Sequence, residues 1–155
     1  MKILFLFTGT TKEQYVASAL QMYESRLKHY ANIEIICTAN LKGVTKPEDQ
    51  KAMETNQLLK HLDSQDFVVL LDEKGKTPNS KEFADFIIQK QVNSCKRMVF
   101  IICGAFGAHQ QIKDLAHYTL ALSKFTFSHQ LARIVLAEQV YRAYSIIHNH
   151  PYHNE

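Results

Sequence analysis

The 155-residue sequence has few cysteines and lacks the short motifs of common nucleotide-binding and metal-binding proteins. Its three cysteines, Cys37, Cys95 and Cys103, have no C-x-x-C spacing, which argues against a disulfide framework or a zinc ribbon and favours reduced thiols in a cytoplasmic protein. Neither G-x-G-x-x-G nor a P-loop occurs, which argues against a generic Rossmann-like nucleotide enzyme. The apolar start of the chain lacks a signal-peptide cleavage site and is too short to cross a membrane, so we expect no membrane partner.

Length and composition predict one compact domain over residues 1–155. Apolar residues make up 46% and charged residues 21% of the chain, as in ordinary globular proteins, and there is no linker, internal repeat or separate RNA-binding domain. The formal charge is +3, with eight histidines. This charge slightly favours nucleic acid or another polyanion as a partner, although a basic solvated surface would have the same composition.

Short runs of β-forming apolar residues alternate with segments that have helical apolar spacing. The predicted strands are residues 3–7, 33–37, 67–71, 98–102 and 118–122. The predicted helices lie at about 12–30 and 47–62, after a capping box of Asn79 and Glu82, and at about 110–116 and 131–147. Residues 73–78 are predicted to form a turn-rich loop. This alternation predicts an α/β domain with a parallel sheet flanked by helices.

A parallel sheet binds ligands beyond the carboxyl ends of its strands. That rule selects Gly9, the loops at 71–75 and 103–107, and the segment 122–127, and it places the pocket in the second half of the chain. Gly104-x-x-Gly107 fits either a plain tight turn or a loop that approaches a ligand closely.

The C-terminal segment carries two further patterns. His148, His150 and His153 form H-x-H-P-Y-H, but no carboxylate or cysteine completes a ligand set, so a solvated tail is favoured and no metal is predicted. The last helix is apolar on nearly all sides, which predicts burial against its own core and against a second copy of the chain. Tyr141 and Tyr144 are the candidate interface residues.

The same segment resembles the RlmH family, which are small single-domain SPOUT methyltransferases. The pattern is L-x-R-x-x-x-A-E-x-x-Y-R-A, followed by S-I and N-H-P-Y-H. Its elements here are Leu131, Arg133, Ala137, Glu138, Tyr141, Arg142, Ala143, Ser145, Ile146 and 149–153. Length and element order agree over the whole chain, as do Gly9-Thr10 and Leu71-Asp72 at strand ends.

The resemblance implies a C-terminal trefoil knot, a homodimer and S-adenosylmethionine as the cofactor. It also implies methylation of N3 of a pseudouridine in bacterial 23S ribosomal RNA, with the assembled ribosome as the expected substrate. The implied cofactor-binding residues are Leu71, Gly104, Leu122, Ser123, Lys124, Phe125, Thr126 and Phe127.

The expected chemistry needs no metal, because the sulfonium methyl is already activated. The enzyme must hold N3 in line with that methyl, and a general base or a positive field must help its proton to leave. The candidate catalytic residues are His129, Glu138, Arg142, Tyr152 and His153. Arg142 is expected to supply the positive field or to anchor the substrate. Tyr152 and His153 are expected to hold the target nucleobase. The identity of the general base is open, and the tail of one subunit is expected to complete the pocket of the other.

Two departures from the family pattern leave alternatives open. The family loop usually has paired glycines followed by Pro-Glu-Gly, where this chain has Cys103-Gly104-Ala105-Phe106-Gly107, and the usual terminal His-Arg-Glu is His153-Asn154-Glu155. A SPOUT methyltransferase acting on another RNA, such as tRNA, and a non-enzymatic RNA-binding factor of ribosome assembly are the alternatives.

Overall fold

The computed structural model describes residues 1–152, which form strands and helices in strict alternation. The elements are β1 (Lys2–Phe7), α1 (Gln14–Leu27), β2 (Asn32–Cys37), α2 (Pro47–Leu59), β3 (Phe67–Lys76), α3 (Ser80–Val92), β4 (Arg97–Ile102), α4 (Gln110–Leu115), β5 (Tyr118–Leu120) and α5 (His129–Ile147). Among these residues, no helix is both long and apolar enough to cross a membrane.

The strands form one sheet in the order β2-β1-β4-β3-β5, with every neighbouring pair parallel. The predicted parallel α/β sheet is therefore confirmed. β1 and β4 lie at its centre and are almost entirely apolar, because both of their faces are covered. All five carboxyl ends lie at one edge of the sheet. The C-terminal knot depends on how the chain is threaded, which strand order does not determine, and it stays a prediction.

Successive residues of the central strands point into two different cores. Phe5 and Phe100 face the helices α1, α3 and α5, whereas Leu4 and Val99 face α2 and α4. Each fully buried phenylalanine contributes about 1.5–3 kcal/mol through burial of apolar surface. The sheet is thus held between three helices on one side and two on the other.

Local signals set the helix starts. Asn79 accepts a hydrogen bond from the Glu82 backbone N–H (2.9 Å), and Glu82 accepts one from the Asn79 N–H (2.8 Å), so the predicted capping box is confirmed. Ser128 caps α5 by accepting a bond from the Leu131 N–H (3.2 Å). The last helix therefore begins at His129, two residues earlier than predicted.

The predicted loop at 73–78 is partly wrong, because β3 continues through Lys76. An irregularity between Leu71 and Lys76 lets the polar end of the strand pair with β5, and the Ala121 N–H donates to the Lys76 carbonyl (2.8 Å). A Cβ on Gly75 would lie 2.7 Å from the Thr119 backbone, so a glycine is needed for this approach. Backbone pairing here outweighs the turn tendency of the side chains.

The prediction that Tyr141 and Tyr144 lie at a subunit interface is wrong. Both are buried within their own chain, where α5 packs between α1 and α3. The Tyr144 hydroxyl accepts a hydrogen bond from Gln91 Nε2 (3.1 Å), and burial raises its pKa to about 12. The apolar character of α5 is thus largely explained by two helices of the same chain.

Candidate active site

A cavity of about 420 Å³ opens at the carboxyl edge of the sheet, beyond the ends of β3, β4 and β5. Seven of the eight predicted cofactor-binding residues line it: Leu71, Gly104, Leu122, Ser123, Phe125, Thr126 and Phe127. Lys124 belongs to the same loop but does not line the cavity. The strand-end rule therefore selected the loops that the fold brings together.

Two hydrogen bonds shape the loop that follows β5. Ser123 Oγ accepts a bond from the Phe125 N–H (3.0 Å), which makes a local turn. Thr126 Oγ1 donates to Glu73 Oε2 (2.9 Å), which ties this loop to the end of β3. This bond links two of the segments that line the cavity.

The loop after β4 is both a tight turn and a wall of the cavity. The Gly107 N–H donates to the Gly104 carbonyl (3.0 Å), and Gly107 has a φ of +76°, a conformation that favours glycine. Desolvation, aided by nearby carboxylates, raises the pKa of the Cys103 thiol to about 12. Cys103 is consequently protonated at neutral pH and is no nucleophile.

Glu54 on α2 is a buried site residue that the sequence interpretation missed. The residue is 7% exposed, and its carboxylate lies beside Gly104. A Cβ on Gly104 would lie 2.8 Å from both carboxylate oxygens, so on that side the missing side chain makes room for Glu54 rather than for a ligand. The burial of Glu54 could have been predicted from its four-residue spacing to Leu58, which puts the glutamate on the apolar face of α2.

Arg133 is a second buried residue that was named in the family pattern but given no role. Its guanidinium donates to the carbonyl oxygens of Thr8 (2.7 Å) and Gly9 (3.0 Å) and to Thr11 Oγ1 (2.9 Å), and it lies over the Phe7 ring. Burial lowers its pKa, but an arginine stays charged. It fixes the loop after β1 next to the start of α5.

His129 is the predicted catalytic residue that lines the cavity. Desolvation, followed by the positive charge of Arg133, lowers its pKa, and the negative charge of Glu54 opposes this shift. The imidazole is therefore neutral at pH 7 and able to accept a proton.

Three other predicted catalytic residues form a separate cluster. Arg142 donates to Glu138 Oε1 through Nη2 (2.7 Å) and Nε (3.0 Å) and lies over the Tyr152 ring, whose hydroxyl donates to the same oxygen (3.5 Å). Gln139 also donates to Glu138. At a rise of about 1.5 Å per residue, Glu138 and Arg142 lie roughly 14 and 20 Å along α5 from His129. His153 lies outside the described residues.

No group of three or more histidine, cysteine or acidic side chains within residues 1–152 has the geometry of a metal site. A neutral imidazole, apolar walls and polar backbone edges around one cavity suit a small organic cofactor.

The match to a family model assigns this parallel α/β fold and its cavity to the SPOUT class of methyltransferases. Residues 1–153 match the family model described as "Predicted SPOUT methyltransferase", and the chain belongs to this family. S-adenosylmethionine, which SPOUT methyltransferases use, is accordingly its cofactor. The predicted family, fold class, enzyme class and cofactor are confirmed, whereas the individual site residues stay predictions.

The chain is similar over its full length to proteins named "Ribosomal RNA large subunit methyltransferase H". It is 42% identical to the one from Bacteroides fragilis and 38% identical to the one from Porphyromonas gingivalis, with 100% of both chains covered in each case. For the relative from Christiangramia forsetii, the identity is 35% and 99% of both chains is covered.

A solved structure of a probable methyltransferase from Bordetella pertussis Tohama I has a TM-score of 0.60 with this chain. The two share 14% identity, and the match covers 92% of this chain and 95% of the other. At this identity the likeness concerns the fold alone.

Proposed function

We propose that this protein methylates N3 of a pseudouridine in the large-subunit ribosomal RNA, as a single cytoplasmic domain over residues 1–155 that works as a homodimer. The observation that carries the proposal is the cavity at the sheet edge, because seven implied cofactor residues and one candidate base surround it. The full-length similarity to the ribosomal RNA methyltransferases supports the choice of substrate.

The residues around the cavity fit S-adenosylmethionine. A volume of about 420 Å³ is within the range of small-ligand sites, and Leu71, Leu120, Leu122 and Phe127 supply apolar walls suited to an adenine ring. Ser123 and Thr126 supply hydroxyls, and backbone groups of the three loops are available for polar contacts. When bound, the cofactor supplies an activated methyl group on a positively charged sulfur.

The mouth of the cavity has the character of a nucleic-acid surface. Phe125 is 80% exposed and Phe106 is 48% exposed, and both line the cavity. Exposed aromatic rings at a cavity are typical platforms for stacked bases. Lys74 and Lys113 line the same cavity, beside the acidic Asp72 and Glu73, and provide positive charge for phosphates. This arrangement supports an RNA substrate whose target base enters the cavity from this side.

His129 is the candidate proton acceptor in this proposal. Its neutral imidazole lines the cavity, so it is available to take the N3 proton of a base that stacks at the mouth. Arg133 fixes the loop after β1 beside it, which limits the freedom of that side of the site.

The distance between His129 and the Arg142 cluster supports a composite site. About 20 Å of helix separates them within one chain, which is too far for both to contact one base. A partner subunit that places its Arg142 and its tail over this cavity would join the two groups. The half-buried and exposed apolar residues Leu131, Ile134 and Val135 of α5 are available for such a contact.

The test is transfer of labelled methyl groups to ribosomes from a strain that lacks this protein. We expect label in the large-subunit RNA, and mass mapping should find it on one pseudouridine. Label in tRNA alone would favour the alternative of a SPOUT methyltransferase that acts on tRNA. Cofactor binding without any transfer to RNA or ribosomes would favour a non-enzymatic assembly factor.

A further inference from the structure

Glu54 is a buried acidic residue on α2 that makes no ion pair with the other residues of 1–152. The hydrogen bond that it receives from the described residues comes from Gln50 Nε2, 2.8 Å from Oε1, and none of their ion pairs includes it. Lys51 is close in sequence but pairs with Glu48 (2.8 Å). A buried carboxylate without a counter-charge lowers stability, so a cation is expected to approach it in the working protein.

Gly104 lies between Glu54 and the cavity. Both carboxylate oxygens of Glu54 pack against Gly104, which lines the cavity and has no side chain to separate the charge from it. The electrostatic effect of Glu54 also extends to two cavity residues, because it helps to raise the pKa of Cys103 and opposes the lowering of the pKa of His129. The negative charge therefore acts inside the cavity, although Glu54 itself is behind the wall.

We propose that Glu54 is the counter-charge for the sulfonium of S-adenosylmethionine. This inference rests on the proposed function, since it requires the cofactor to occupy this cavity. S-adenosylmethionine has a fixed positive charge at sulfur, and S-adenosylhomocysteine is neutral there. The adenine, the ribose and the amino-acid end are the same in both molecules. A charge that acts on sulfur thus strengthens binding of the methyl donor and leaves binding of the product almost unchanged.

This arrangement has a consequence for turnover. The attraction between Glu54 and the sulfonium is strongest before the methyl group is transferred, and it disappears when the sulfur becomes neutral. It therefore favours the exchange of bound S-adenosylhomocysteine for S-adenosylmethionine. An interaction that is stronger in the ground state than in the transition state lowers KM without raising kcat. Removing the charge should raise the KM for S-adenosylmethionine and should not lower kcat.

The experiment measures both ligands on matched variants by calorimetry. Glu54→Gln removes the charge and keeps the shape, and Asp49→Asn removes one charge from an exposed position on the same helix. We expect Glu54→Gln to weaken S-adenosylmethionine about tenfold, as for loss of one charged partner, and S-adenosylhomocysteine by less than about twofold. Asp49→Asn should change neither affinity.

Equal weakening of both ligands would overturn the proposal, because Glu54 would then act only through the shape of the loop or on the amino-acid end. Unchanged affinity for S-adenosylmethionine would overturn it as well. If the unmodified protein binds neither ligand, the proposed function itself fails, which is a distinct result. Should Glu54→Gln unfold at the assay temperature, Glu54→Ser leaves room beside Gly104 and gives the same ratio of affinities to test.

Discussion

The guanidinium of Arg133 donates a hydrogen bond of 2.7 Å to the carbonyl oxygen of Thr8, across 125 positions of sequence. Arg133 is 0% exposed, and the bond joins the first strand to the last helix beside the cavity. Gln130 Nε2 adds a bond to the Thr10 carbonyl (3.1 Å). The start of α5 therefore orders a loop at the opposite end of the chain.

Arg133→Ala should destabilise the fold, because the Thr8 and Gly9 carbonyls would lose a charged donor. We expect a loss of about 3 kcal/mol in the free energy of unfolding, which lowers the thermal midpoint by about 6–12 °C. Calorimetry or thermal circular dichroism measures this change. Lys42→Ala removes one charge from an exposed loop residue and should have almost no effect. An equal midpoint for the two variants would show that the buried contact contributes little.

Gly104→Ala should destabilise the protein through Glu54. The added methyl group would lie 2.8 Å from both carboxylate oxygens, so the loop or the glutamate must shift. The double variant Gly104→Ala/Glu54→Ala makes room and should have a higher thermal midpoint than Gly104→Ala alone. A double variant less stable than the single one would mean that the two residues do not compete for this space.

S-adenosylmethionine should raise the thermal midpoint, as a ligand that binds the folded state does. Gly104→Val should remove this shift, because a branched side chain would displace Glu54 or deform the cavity wall. Lys42→Ala changes an exposed residue that does not line this cavity and is the control for a general effect of substitution. A full shift in Gly104→Val would place the cofactor elsewhere.

The pH dependence should reflect the lowered pKa of His129. The imidazole is neutral above that pKa, so kcat/KM should fall as the pH decreases through a value below 6.5, the usual pKa of histidine. At a pH between the folded-state pKa of His129 and about 6.5, the unfolded chain binds more protons than the folded one. The contribution of His129 to stability is thus present above about 6.5 and is lost as the pH falls through the folded-state pKa. His129→Asn should remove the acid limb of the rate profile, and an unchanged limb would exclude His129 as the base.

Deleting residues 152–155 should leave the fold and cofactor binding largely intact and should sharply lower methyl transfer. A small misplacement of the target nucleobase lowers the rate on the order of a hundredfold. Arg142→Ala should behave likewise, and Arg142→Lys should recover only part of the rate, because lysine cannot reproduce a planar guanidinium. The assay is transfer of labelled methyl to ribosomes from a deletion strain. Parental activity after truncation would show that the tail does not position the target nucleobase.

Light scattering at micromolar concentration should find a dimer. Val135→Glu adds a charge to the half-buried apolar face of α5 and should give monomers with little methyl transfer. Tyr144→Phe removes only the hydroxyl bonded to Gln91 inside the chain and should stay dimeric, at a cost of about 1 kcal/mol in stability. A monomer with full activity would contradict the composite site.

The features of this protein that depend on local order along the chain could be predicted from its residues. Residues 3–7 and 98–102 are continuous apolar runs, which predict buried strands, and Asn79 and Glu82 form their capping box within one turn. The strand-end rule then identified the cavity loops without any distance, because parallel strands end at one edge of a sheet. The family followed from a linear pattern near the C-terminus.

The contacts between distant segments could not be predicted in this way, because they depend on how the whole chain packs. The extension of β3 depends on a partner strand more than 40 residues later, and the hydrogen-bond partner of the Tyr144 hydroxyl is Gln91 in another helix. Glu54 meets Gly104 across 50 positions, and no local spacing encodes that approach. Periodicity specifies which face of an element is buried, whereas the neighbour on that face is chosen by the packing of the whole chain.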